Sequence, residues 1–305
     1  MRYFARVVEL GNMTRAAEQL SVAQPALGLQ IRQLERDLGV ALLVRHSRGV
    51  EPTAAGRLLF DRARAILQLV ESTEQELSSL SGDSRETITL GLAPSIMLLL
   101  GSDIVVDARR DLPQVFLSIV EELSFVLAEA MERDELDLAL AYEVAERPGL
   151  RRTPVMEEDL LLVTAPEDPI PGETIAFADA IDRDLVLPGE RDMVRRVVQG
   201  IAEQHSLSVN VAYEVQSIVA MKSLVRRRAA AAIMPYGTAA EELRQGTLIG
   251  TRIDRPAVRR TLCFIRPAKR GPFRNETELL NFLDRVVANL ADVLGPLARR
   301  IQKVA

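Results

Sequence analysis

The sequence predicts an α/β protein headed by a small all-helical segment. Two patterns carry the prediction. Up to about residue 80 apolar residues recur at helical spacing, and from about residue 86 short apolar runs alternate with helical segments. A hydrophobic content of 48% makes a sizeable core available, and 305 residues give room for two or three domains.

Residues 1–53 read as short helices joined by tight connections. Thr14 precedes Ala16, Ala17 and Leu20, a small apolar face behind a good N-cap residue. Pro25 falls in the first turn of the next helix, where its missing N–H costs nothing. Leu27, Ile31, Leu34 and Leu38 follow at spacings of 4, 3 and 4 on one helix face, and Gly39 ends it. Residues 45–51 are polar, basic and contain Gly49, and Pro52-Thr53 opens the next element.

From 54 to 80 the pattern is one long helix. Leu59, Ala63, Ile66, Val70, Thr73, Leu77 and Leu80 form a heptad seam, which predicts a dimerising helix. An amphipathic helix packed on its own domain is the alternative. Residues 78–84 form a polar linker.

The runs 88–93, 115–120, 136–142, 160–164, 185–187, 209–215, 231–234 and 262–265 read as strands. Helices are expected at 126–133, 193–204 and 218–228, and 276–304 reads as helix throughout. This alternation predicts mostly parallel strands. The expected organisation is 1–53, a linker helix and hinge at 54–85, and a body at 86–305.

Charge divides the chain. Residues 1–65 carry ten Arg, no Lys and six acids, a charge of +4 against −9 for the remainder. The N-terminal segment is therefore expected to meet a polyanion. Cys263 is the only cysteine, and no disulfide within the chain can form. His46 and His205 are far apart, so no zinc spacing exists and no metal or cofactor is expected. No apolar run reaches the ~18 residues that span a bilayer, and residues 1–20 lack a signal-peptide stretch. A cytoplasmic location is expected. Aromatics at 4% and no Trp argue against stacking platforms for single strands.

Two short helices with Leu27, Ile31 and Leu34 turned inward would leave Gln24, Pro25, Gly28, Leu29, Arg32 and Gln33 facing out. In a helix-turn-helix the second helix enters the major groove by its N-terminal residues. Gln reads adenine and Arg reads guanine or grips phosphate. The basic hairpin at 45–49 is placed as a wing, with Arg48 suited to a minor groove. Leu29 suits a thymine methyl, or equally a packing position.

The fragments Arg2-Tyr3-Phe4, Thr14-Arg15-Ala16-Ala17-Glu18-Gln19-Leu20, Ala23-Gln24-Pro25-Ala26-Leu27, Gln30-Ile31-Arg32-Gln33-Leu34-Glu35, Leu38-Gly39-Val40 and Pro52-Thr53-Ala54-Ala55-Gly56 run almost continuously. Together they resemble the N-terminal signature of LysR-type transcriptional regulators. There are departures. Fewer residues precede Arg2 than the family usually has, so helix 1 is short or the start is misassigned. Ala23 replaces a common Ser, and Gly28-Leu29 stands where Ser-Arg is frequent.

The resemblance implies a winged helix-turn-helix at 1–53, a long linker helix, and two Rossmann-like lobes similar to periplasmic solute-binding proteins. Lobe I would comprise 86–161 and 267–305, and lobe II 162–266, with an effector cleft between them. Pro94, Ser95 and Ile96 follow a buried strand, where free N–H groups and a hydroxyl suit an anion. Ser124 and Ser217, the latter beside Gln216, occupy equivalent places after other strands, and Pro188 ends another. Each serine is equally a plain helix cap, and Pro188 a plain turn.

The expected function is a sequence-specific DNA-binding regulator that answers a small-molecule effector, with double-stranded DNA and RNA polymerase as partners and a homodimer or homotetramer as the assembly. The alternative is an effector-independent regulator with a vestigial sensor. The greasy run 96–100 fits a greasy ligand or an occluded cleft. An enzyme is not expected: hydrolase, P-loop, metalloprotease and dinucleotide motifs are missing. The acidic pairs Glu121-Glu122 and Glu157-Glu158 read as solvated. No catalytic residue is assigned.

Overall fold

Glycine and asparagine punctuate the first three helices. In the computed structural model, which describes residues 1–46, 49–80 and 85–304, α1 (Arg2–Leu10) stops at Gly11 in the left-handed conformation. The helix α2 (Met13–Gln19) is capped by Asn12, whose side chain accepts from the amides of Thr14 and Arg15. The cap expected at Thr14 therefore lies two residues earlier, because Asn12 already satisfies those donors. Next comes α3 (Gln24–Leu38), with Pro25 in its first turn, no side-chain cap from Ala23, and a stop at left-handed Gly39.

A hairpin follows, β1 (Leu43–His46) against β2 (Gly49–Pro52), and then the long α4 (Ala54–Leu80). Phe4, Val7, Ala16, Leu27, Ile31, Leu42 and Val50 form one small core. Hydrogen bonds fasten the hairpin to its neighbours. Glu35 accepts from the amides of Leu42 (2.8 Å) and Leu43 (3.1 Å). Thr53 donates its hydroxyl to the Ala41 carbonyl (2.8 Å), and its oxygen accepts from the Gly56 amide (2.9 Å), opening α4. Gly56 is required here because any Cβ would overlap the Leu42 carbonyl oxygen.

The chain divides at 84/85 into two compact units. The second contains β3 (Glu86–Leu92), α5 (Pro94–Asp111), β4 (Val115–Glu121), α6 (Ser124–Glu132), β5 (Leu138–Tyr142) and β6 (Leu150–Asp159). It continues with β7 (Leu161–Thr164), β8 (Thr174–Ala176), α7 (Phe177–Asp182), β9 (Leu185–Leu187), α8 (Met193–Gln204) and β10 (Val211–Glu214). Then come α9 (Ile218–Arg226), β11 (Ala231–Met234), α10 (Tyr236–Arg244), β12 (Ile249–Asp254), β13 (Arg259–Pro267), α11 (Glu276–Leu294) and β14 (Ala298–Arg300).

These strands make two six-stranded sheets, in the orders β14-β6-β13-β5-β3-β4 and β10-β9-β11-β7-β12-β8. Each anchors one α/β lobe. The sheets are mixed rather than mostly parallel. The antiparallel members are β6, β7, β12, β13 and β14, with their partners β5 and β11. The chain crosses between lobes at Leu160 and again after β12. The two crossings are joined where the Leu160 amide donates to the Val258 carbonyl (2.8 Å). Strands that carry the chain out and back lie antiparallel, a constraint that local alternation does not encode.

Two expectations are corrected. The return crossing was placed near 267, but β13 pairs with β5 and β6 in the first lobe's sheet, so the chain is back by Arg259. An apolar run identifies a strand without identifying its sheet. The segment 276–304 is not helical throughout, because Gly295-Pro296 breaks it and β14 then adds to the edge of β6.

Replacing Gly56 with Ala should destabilise the first unit by about 1–3 kcal/mol, since the Leu42 carbonyl must move. Gly200→Ala, in α8 with nothing near its Cβ position, should instead stabilise by about 0.5–1 kcal/mol. Thermal melts of the two variants should shift in opposite directions.

Candidate functional site

Two surfaces merit attention. On α3 the inward residues Leu27 and Ile31 are buried, while Gln24, Pro25, Leu29, Arg32 and Gln33 are exposed, Leu29 at 54%. Gly28 departs from expectation: it is buried, and a Cβ there would lie 3.7 Å from the Met13 methyl. That distance, and the 3.5 Å from such a Cβ to Arg32 Nη1, are ordinary van der Waals contacts. Gln33 is held by its own helix, donating to Asp37 (2.7 Å) and accepting from Arg36 (2.6 Å). Arg48 lies outside the described residues.

Along α4 the seam has two halves. Ala63 is buried, while Ile66 and Val70 are exposed at 45% and 43%; the side chains of Leu77 and Leu80 lie outside the described residues.

The second surface is a cavity of about 80 Å³ between the lobes. Five helices direct their N-terminal ends at it: α5 by Pro94 and Ser95, α6 by Ser124, α8 by Asp192 and Met193, α9 by Ile218, and α10 by Pro235 and Thr238. Each end brings free amides and a partial positive charge. The remaining wall is mostly apolar, including Met221, Ile233 and Met234.

Two ionisable side chains, Arg260 and Asp192, stand among these dipoles. Arg260 is 4% exposed, and its Nη2 donates to Ser95 Oγ (2.8 Å) and Glu158 Oε2 (2.8 Å). Its Nε also donates to Glu158 Oε2 (3.1 Å). The guanidinium lies over the Tyr142 ring, 3.4 Å from its centre, and the Tyr142 hydroxyl donates to Glu158 (2.7 Å). Burial next to the Glu158 carboxylate holds the Tyr142 hydroxyl protonated, its pKa pushed well up. Asp192, 8% exposed, caps α8 by accepting from the Val194 amide (2.8 Å). Burial raises its pKa.

Residues 1–57 match the family model "Bacterial regulatory helix-turn-helix protein, lysR family", and residues 81–288 match "LysR substrate binding domain". The chain belongs to the LysR family. It is a DNA-binding transcription regulator carrying an effector-binding domain. The nitrogen assimilation regulatory protein nac of Klebsiella aerogenes is 30% identical over 240 residues, 78% of each chain. The Escherichia coli K12 protein of that name is 29% identical over 272 residues, 88% of each. The crystal structure of CbnR, a LysR family transcriptional regulator, superposes with TM-score 0.70 at 23% identity, covering 93% of this chain and 97% of that one. CbnR in complex with its target DNA gives 0.68.

In this LysR-family chain, Pro94, Ser95, Ser124 and Pro188 come together at the cavity. Ile96 and Ser217 do not line it. Ile96 is fully buried in the core, one position past Ser95 and so about 100° further round the helix. Ser217 is exposed and caps α9 through the Ala220 amide (3.3 Å), leaving Gln216 and Ile218 to face the cavity. The greasy run after Ser95 also points elsewhere, with Leu100 in the core and Leu98 on the surface. Ser124 Oγ accepts from the Tyr142 amide (3.0 Å).

Sequence reading missed Arg260, Glu158 and Asp192. Glu158, expected to be solvated, is 1% exposed. The signal was present: Glu157-Glu158 and Arg259-Arg260 are adjacent pairs of opposite charge on strands, and alternation turns one of each inward. The register pairs Arg260 with Glu158. No metal-competent group of three His, Cys, Asp or Glu occurs among the described residues, and no helix there is long and apolar enough to cross a membrane.

Arg260→Met should cost about 3–5 kcal/mol by stranding the buried Glu158, and a Glu158→Met second change should restore much of it; urea titration of single and double variants measures this. Asp192 has its folded pKa raised, so the folded state holds its proton more tightly than the unfolded chain does. It therefore opposes folding increasingly as pH rises from about 4 through that raised value. Asp192→Asn, which keeps a capping side chain, should melt closer to wild type at pH 4 and progressively higher than it towards pH 7.

Proposed function

We propose that this regulator reads DNA through the exposed face of α3 and is controlled by a small, carboxylate-bearing organic molecule bound between its lobes. The observation that carries the effector reading is the buried Arg260 set among five helix N-termini in a cavity whose remaining wall is mostly apolar, with Asp192 its other ionisable group. That combination suits a small apolar body with an anionic group. Pro94, Ser95, Ser124 and Pro188 serve as its contacts, with Arg260 as the charged anchor.

On the DNA side, Gln24, Leu29 and Arg32 are placed for base edges and Pro25 for the groove wall. Gly28 acts by packing, and Gln33 by steadying Arg36. Arg48 in the wing is assigned to the minor groove by sequence alone. Leu29 replaces a basic contact with an apolar one, so the preferred operator differs from those of relatives carrying Arg there. The exposed Ile66 and Val70 of α4 suit pairing with a second copy. The chain works by binding and has no catalytic role. The effector biases the assembly only through its differential affinity for two lobe arrangements.

Footprinting on the DNA upstream of its own gene, at two salt concentrations and with or without a small-metabolite extract, tests the reading. Protection over half-sites about 10.5 bp apart is expected, with a metabolite-dependent change of footprint. Protection indifferent to every metabolite fraction would leave DNA binding standing and remove the effector. Arg32→Ala should weaken operator binding by roughly 1–3 kcal/mol; unchanged affinity removes Arg32 from the interface.

A further inference from the structure

Two charged side chains that line the cavity each keep one polar atom with only a long contact. Arg260 Nη2 and Nε are taken by Ser95 and Glu158, but Nη1 has only the Met193 sulfur at 3.9 Å. Asp192 Oδ1 is taken by the Val194 amide, but Oδ2 has only Gln216 Nε2 at 3.5 Å, the limit of a hydrogen bond. Both side chains line the same cavity and both are more than nine-tenths buried. Open polar atoms in such a place await a partner.

Charge counting points the same way. Glu158 pairs with Arg260, which leaves the Asp192 carboxylate as the excess buried charge beside the cavity. A simple carboxylate would satisfy Arg260 Nη1 but bring a second anion up to Asp192. A simple amine would satisfy Asp192 and leave the guanidinium edge open. A molecule carrying both groups satisfies both and adds no net charge.

We infer, resting on the effector reading above, that the cavity takes a small zwitterion: an α-amino acid with its carboxylate at Arg260 Nη1 and its ammonium at Asp192 Oδ2. Gln216 lies beside Asp192 and braces it, its own Oε1 held by the Gly189 amide (3.2 Å). The apolar wall of Ile218, Met221, Ile233 and Met234, with a volume of about 80 Å³, selects a short aliphatic side chain. Burial raises the Asp192 pKa against the lowering pull of the Val194 amide, Gln216 and Arg260.

Titration calorimetry on the full chain decides this with nine compounds. They are alanine, valine and leucine; the same acids lacking the amino group, propanoate, 3-methylbutanoate and 4-methylpentanoate; and the same amines lacking the carboxylate, ethylamine, 2-methylpropylamine and 3-methylbutylamine. At least one amino acid should bind tenfold or more tighter than both of its truncated partners. Asp192→Asn should lower that affinity at least tenfold and narrow the gap to the deaminated acid. A deaminated acid binding as tightly as its amino acid overturns the zwitterion and leaves the carboxylate reading intact. No binding by any of the nine overturns both. Amino-acid affinity unchanged in Asp192→Asn removes Asp192 as the ammonium site.

Discussion

A guanidinium almost out of contact with water must have an anion, and in this regulator that need organises the space between the lobes. Arg260 reaches Glu158 on β6, the strand on one side, rests on Tyr142 on β5, the strand on the other, and ties back to Ser95 at the start of α5. Those contacts bind β5, β6 and β13 to the helix end that faces the cavity. A buried pair of this kind adds little net stability, but removing either member is costly because the other is stranded. It therefore acts as a specifying element: β13 must keep the register that sets Arg260 opposite Glu158.

The cavity follows from topology and from that charge together. The helices after β3, β4, β9, β10 and β11 begin at the same ends of their sheets, so their N-termini converge where the lobes face one another. Five positive helix ends around one guanidinium would make an intensely positive pocket, and Glu158 and Asp192 moderate it. The lobes approach closely as well. A Cβ on Gly237 of α10 would come within 2.5 Å of the Ser95 carbonyl oxygen, so the smallest side chain is needed where α10 meets α5. Across the cleft Arg191 pairs with Glu129 and covers the Phe125 ring at 4.4 Å, an exposed contact that lobe movement can break at low cost.

In the N-terminal unit much was legible locally. Gly39, Pro25 and the 4-3 spacing of Leu27, Ile31 and Leu34 encode α3 through backbone conformation and burial, both short-range properties. The Pro52-Thr53-Ala54-Ala55-Gly56 motif also has a local meaning that the structure makes explicit: Thr53 caps α4, and Gly56 admits the Leu42 carbonyl. Gly28 was misread as outward-facing because a residue without a side chain leaves no polarity signal to show which way it points.

By itself the sequence determined the family, the helix-turn-helix, the α/β alternation and several cavity positions at strand ends, Ser95 and Ser124 among them. Each rests on periodicity or on turn chemistry within a few residues. Only the tertiary structure decided which sheet β13 joins, that Ser217 caps a helix while Gln216 faces the cavity, and that Arg260 meets Glu158, 102 positions away, out of water. Charged residues read as solvated until a partner is known, and a partner that distant in the chain is brought near only when the sheet forms.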